Sequence, residues 1–296
     1  MIVREKPRWI DLAFALRGSI VPTVAPQILV LTVLAACWVW LDHQVTDLPD
    51  VGGMALTVFG IALSLFLGFR NNAAYDRWWE ARRLWGGLLA DMRSLAREVA
   101  MFCDDPPMRE RSLRLALAFL HLHRAQLRNL PDDARARELG GQFLHAPNPP
   151  DAALDRLAEL FGEARRAGTL DGYGARALAE RLGNMALQQA GCERIAKTPL
   201  PYVYSLLVYR TTYLYCLLLP LALMGPAGWL TPLVVAIVAY VFLGLAEVTE
   251  ELSHPFGLTA NGLPLNAICR AAEISLAPHL GEAPQPYLRA RDFYLS

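Results

Sequence analysis

Six histidines, five cysteines and 28 acidic side chains are the groups from which this 296-residue chain would have to build an active site or a metal site. Their spacing argues against both. His121 and His123 stand two apart in a stretch of helical periodicity, which sets them about 200° apart around the axis and excludes a shared metal. His43, His145, His254 and His279 are isolated in sequence. The cysteines (Cys37, Cys103, Cys192, Cys216 and Cys269) are odd in number and scattered. They form no CxxC pair, so neither a disulfide framework nor a zinc site is indicated, and they read as free thiols packed as small apolar residues. No GxSxG elbow, GxxxxGKS/T phosphate loop or HExxH helix is present. Glu247, Glu250 and Glu251 share one helical face and admit a metal or proton role, although pairing with arginines is the simpler reading. The expectation is a protein that is not an enzyme, with no cofactor and no metal.

The elements that carry these residues are of two kinds. Hydrophobic residues make up 54% of the chain and mean hydropathy is +0.26, beside 19% charged residues, which describes a chain partly in a bilayer and partly in water. Zero net charge offers no global basic field, so nucleic acid is not expected as a partner. No charge interrupts Gly18 to Leu41 or Val51 to Phe69, and a third uncharged run extends from Thr211 to Ala246. The third is too long for one crossing, and PAGWLTP in its middle reads as a turn, giving halves that start near Tyr202 and end near Thr249. Four transmembrane helices are therefore predicted. Arg210 lies about two turns inside the third, where a cation either snorkels to the interface or faces a polar interior. VLAAC, ending at Cys37, resembles a lipoprotein cleavage box, but apolar WVWL follows it directly and favours a spanning helix.

Basic residues set the orientation. Arg4, Lys6, Arg8 and Arg17 precede the first span, and Arg70, Arg77, Arg82 and Arg83 follow the second. The loop between them, Asp42 to Asp50, has three aspartates and no Lys or Arg. Both termini and the middle region are thus expected on the cytoplasmic side of the cell inner (plasma) membrane. The predicted division is a cytosolic segment 1–19, two spans in 20–69, a cytosolic helical region 70–200, two spans in 201–249 and a cytosolic segment 250–296. Leu84, Leu88, Leu89, Met92, Leu95 and Val99 recur at three- and four-residue intervals, so the second span should continue unbroken to about Phe102. Asp104-Asp105-Pro106-Pro107 ends it. Helices over 108–128, 151–167 and 173–197 should follow, with a Pro- and Gly-containing loop over 131–150 that has room for a short helix. The fold class predicted is all-α, four membrane helices continuous with a cytosolic helical bundle.

The stretch from Gly60 to Gly86 carries the most information. Ile61, Leu65 and Phe69, at i, i+4 and i+8, form one apolar stripe, with Gly60, Ala62, Ser64 and Gly68 keeping adjacent faces slim. The run ends abruptly in Arg70, Asn71 and Asn72, then a charged helix with Trp78, Trp79 and Trp85. GFRN at 68–71, then Arg77, Glu80, Ala81, Arg82, Leu84, Trp85 and Gly86, closely resembles the signature of bestrophins and their bacterial relatives. A second block, GCERIAKTPLPYVYSLLVYRTTYLYCLLLP at 191–220, and a third, HPFG at 254–257 followed by LNAICR at 265–270, keep the family's order and spacing. The resemblance covers essentially the whole chain.

That resemblance implies a homopentamer in the lipid bilayer, with five copies of the second helix lining one central pore. It implies that Ile61, Leu65 and Phe69 form an apolar neck and that Leu200, between Pro199 and Pro201, forms a second constriction at the cytosolic mouth. A narrow apolar ring cannot replace an ion's hydration shell and gates by dewetting, so the implied function is an ion channel for small monovalent ions. Animal members carry an acidic cluster after PFG that helps bind calcium. Here Leu258, Thr259, Ala260, Asn261 and Gly262 supply no carboxylate, and no calcium gating through this loop is expected. Arg70 would favour anions such as chloride, whereas Asp76, Glu80 and Glu250 would favour cations. Animal bestrophins pass chloride and other anions whereas bacterial relatives look capable of conducting cations, so the resemblance leans the expectation slightly to monovalent cations. The alternative is a secondary transporter or membrane receptor on the same scaffold, although neither broken helices nor an inverted repeat stands out.

Overall fold

A computed structural model of the chain describes residues 1–3, 9, 11, 15, 18–45 and 53–296. The basic residues Arg4, Lys6, Arg8 and Arg17, the loop residues Asp47 and Asp50, and Val51 lie outside the described residues. Among those described, the regular structure is helical, and β pairing is confined to isolated bridges such as Cys103 with Leu170. The chain forms two compact units, Met1–Arg4 with Trp79–Thr198 and Pro255–Ser296, and Glu5–Trp78 with Pro199–His254.

The second unit holds the apolar helices. Helix α1 (Val21–Gln44) starts three residues into the uncharged run that opens at Gly18, where Gly18 takes a positive φ of 77° and Pro22 sits in the helix's first turn. Helix α2 (Gly53–Phe102) is one unbroken helix of 50 residues, and its first part belongs to this unit. Helices α7 (Tyr202–Ala227) and α8 (Thr231–Ser253) are separated at Gly228–Leu230 by a short 3₁₀ turn, with Gly228 at φ 49°. Among the described residues three helical stretches, Val21–Gln44, Gly53–Phe102 and Tyr202–Ser253, are long and apolar enough to cross a membrane, and the third is this helix pair. Leu31 and Ala35 of α1 pack with Cys216 and Leu219 of α7 and Val235 and Ala239 of α8. Leu63 and Leu67 of α2 pack with Val208 of α7 and Phe242 and Ala246 of α8. Gly60 makes room for a tyrosine, since a Cβ there would lie 2.7 Å from Tyr215 Oη. Gly68 meets nothing, so only one of the two glycines predicted to slim this helix is used for close packing in the described chain.

The other unit is built on the remainder of α2, where Leu88, Met92, Leu95 and Val99 are fully buried at the predicted intervals. Helix α3 (Pro106–Leu127) begins at the prolines expected to end α2, because a proline is tolerated in a first turn. The loop over 131–150 contains α4 (Ala134–Gly140), capped by Asp133, whose carboxylate accepts from Ala136 N–H at 2.8 Å. Helices α5 (Pro149–Ala167), α6 (Gly172–Lys197) and α9 (Leu265–Leu276) complete the unit. His121 and His123 point apart, as their spacing requires. His121 Nε2 lies 3.1 Å from Glu273 Oε1, while His123 is sandwiched between Trp85 and Phe119 at ring-centroid distances of 5.6 and 5.9 Å. Burial lowers the His123 imidazole to about 4, and neither of its ring nitrogens has a hydrogen-bond partner among the described residues. All five cysteines are free thiols; four are buried, and Cys37 is exposed.

Candidate functional site

Helix α2 divides its first half between two opposite stripes. Leu56, Gly60, Leu63, Leu67, Arg70 and Ala74, spaced by four and three residues, are buried against the other helices of their unit. About half a turn around the helix, Val58, Ile61, Leu65 and Phe69 are 57–70% exposed. Large apolar side chains on the outward face of a well-packed helix require lipid, a partner or a pore to account for them. The stripe continues past Phe69 through Asn72 and Asp76, both exposed, so it changes abruptly from apolar to polar on one face.

Leu200 is half-buried in the break between α6 and α7, with a proline on either side. It is brought to the stripe. Phe69 and Leu200 line one cavity of about 360 Å³ with Phe66, Arg70, Ala73, Pro201 and Tyr204. Phe66 meets Tyr204 with ring centroids 5.8 Å apart, which fixes the start of α7 against α2.

A model of the family described as Bacterial/Fungal Bestrophin protein matches residues 1–278. A voltage-dependent anion channel-forming protein of Mesorhizobium japonicum is 45% identical over 100% of this chain and 97% of its own length. The chain belongs to the bestrophin family. A second relative, the voltage-dependent anion channel-forming protein YneE of Escherichia coli K12, is 36% identical over 97% of this chain and 96% of its own. The crystal structure of a bacterial bestrophin homologue from Klebsiella pneumoniae superimposes with a TM-score of 0.81 at 33% identity, covering 88% of this chain and all of that one.

Within this bestrophin the charged candidates do not form one group. Arg70 lies on the buried stripe, opposite Ile61 and Leu65, with its side chain 4% exposed. Its Nη2 donates to Ser205 Oγ at 2.7 Å and to Glu250 Oε2 at 3.2 Å, tying α2 to α7 and α8. Arg77, two turns on, donates from Nε to the Ser253 carbonyl at 2.8 Å. The predicted pairing of the α8 glutamates with arginines is thus met at Glu250, while Glu247 accepts from the Tyr209 hydroxyl at 3.5 Å. Glu80 belongs to the other unit and pairs with Arg194. Asp76 is the one of these candidates on the exposed stripe itself. Sequence reasoning missed Ser205, the hydroxyl that receives Arg70, and Tyr204, the ring against Phe66. Both stand in PLPYVYS, immediately after the Leu200 that it singled out.

Proposed function

We propose that this bestrophin is an ion channel in which several copies of α2 turn the stripe Ile61, Leu65 and Phe69 toward a common axis. The exposed apolar stripe, opposite a fully packed one on the same helix, carries this reading. The relatives are channel-forming proteins by name, and the chain is not an enzyme. A homopentamer is the assembly, with four membrane spans per subunit, α7 and α8 being the last two. The protein resides in the inner membrane with both termini on the cytoplasmic side.

In this reading the three side chains form a dewetting neck, closed or opened by small changes in radius. Leu200, held between two prolines, is the second constriction, and its shared cavity with Phe69 supports a short path between them. Arg70 acts behind the neck rather than in it, since its charge is turned inward and neutralised by Glu250. The permeant species are small monovalent ions. The exposed carboxylate of Asp76 supports the cation preference, whereas the relatives' names support anions. A salt gradient separates the two.

Current across a planar bilayer holding the purified protein under such a gradient tests the reading, beside the variant Ile61→Ala/Leu65→Ala/Phe69→Ala. Discrete currents that grow in the triple variant are expected, and the sign of the reversal potential identifies the ion. Silence from both proteins, with reconstitution and assembly verified, would favour a transporter or receptor on this scaffold.

A further inference from the structure

Helix α7 buries one side through Val208, Thr212, Cys216 and Leu219 and leaves the other bare. The bare side is a single stripe of Val203, Leu207, Arg210, Leu214 and Leu217, spaced by four and three residues. Its four aliphatic members are 40–65% exposed, and Arg210 in their midst is exposed too. Among the described residues Arg210 has no ion-pair partner. A cation inside an apolar stripe, on a helix long enough to cross a bilayer, is accommodated by reaching the interface, where anionic headgroups supply a counter-charge.

We propose that this stripe faces lipid and that Arg210 binds the phosphate of an anionic phospholipid in the leaflet at the Tyr202 end of α7. The proposal rests on α7 crossing the bilayer, as above. Depth supports it. A helix of 26 residues is about 39 Å long against a hydrocarbon core of about 30 Å, so its ends project by about 4–5 Å. Arg210 is eight residues from Tyr202, which sets its Cα about 7–8 Å inside the hydrocarbon, within reach of the headgroups for an extended arginine. Composition supports it as well. The stripe contains only Val and Leu besides the arginine, with none of the small residues that allow close approach of a second helix. Tyr202, exposed, stands at the height of the headgroups, where amphipathic rings anchor a span. The guanidinium fork matches two phosphate oxygens, and acyl chains lie along Leu207 and Leu214.

Native mass spectrometry of the full-length protein in mild detergent tests this, with phosphatidylglycerol and phosphatidylcholine of the same acyl chains titrated separately. Phosphatidylglycerol should be held about five-fold more tightly. Arg210→Gln should lose that preference and Arg210→Lys should keep it, and millimolar inorganic phosphate should not displace the lipid. Equal binding of the two lipids by the parent protein overturns the proposal and requires no variant to fold. So does an unchanged preference in Arg210→Gln, or full displacement by phosphate. Dissociation of the assembly in Arg210→Gln would overturn it too, by making the stripe a contact between copies. A protein that retains neither lipid would count against the membrane reading itself, whereas equal uptake of both sinks only this proposal.

Discussion

Arg70 carries more consequence than its position in the sequence announces. Its guanidinium is buried while its carboxylate partner, Glu250, is 43% exposed, so the two ends of the pair are not equivalent. Removing the exposed end leaves a buried cation uncompensated, while removing the buried end leaves a carboxylate that water can reach. Glu250→Ala should therefore lower stability by about 2–3 kcal/mol after allowance for solvent screening, and Arg70→Met by distinctly less. Thermal unfolding of the two variants in one detergent compares them, and the reverse order would remove Arg70 from this role. The apolar stripe was legible from residue types alone, because its period of four and the sudden charge after Phe69 are local. The pairing of Arg70 was not, since Ser205 and Glu250 lie 135 and 180 residues away, and only the packing of α7 and α8 on α2 selects them.

At the level of the element, the long α2 and the two helices joined at Gly228 follow from patterns that a single stretch of chain contains: hydrophobic period, length and a Gly–Pro turn. The short α4 answers to the short helix for which the 131–150 loop has room, but its bounds were not legible. Seven residues have too little periodicity to declare themselves, and Asp133 as its cap was the one local signal. The turn after α8 gives a sharper test. A Cβ on Gly262 would run into the Gly257 carbonyl oxygen, a backbone atom that cannot rotate away as a side chain can. Gly262→Ala should cost about 1–3 kcal/mol. Gly183→Ala, in the middle of α6 where nothing lies within 4 Å, should be neutral or stabilising by about 0.5–1 kcal/mol. Equal melting temperatures for these two variants would show that the 257–262 turn tolerates the methyl group.

For the molecule as a whole, acid should be more damaging than the balanced net charge suggests. The His123 imidazole stays neutral in the folded chain down to about pH 4, whereas the unfolded chain takes up that proton near pH 6.5. Protonation thus favours unfolding below pH 6.5, by about 2 kcal/mol at pH 5 and by about 3 kcal/mol at pH 4 and below. His123→Phe, which keeps an aromatic ring between Trp85 and Phe119 and removes two unpartnered nitrogens, should flatten this dependence and raise stability at pH 5. Melting curves of both proteins at pH 7.5 and pH 5 decide it, and parallel losses would assign the acid sensitivity to other groups. The thiols give the molecule a different property. With four of five cysteines buried, and burial pushing Cys192 and Cys269 up to about 12, Cys37 is the thiol left exposed to reagents, and Cys37→Ala should leave a nearly silent background. A cysteine introduced at Leu65 or Phe69 would therefore report its own modification by a charged methanethiosulfonate with little background. The proposed conduction path can be mapped one residue at a time after a single native thiol, Cys37, has been replaced.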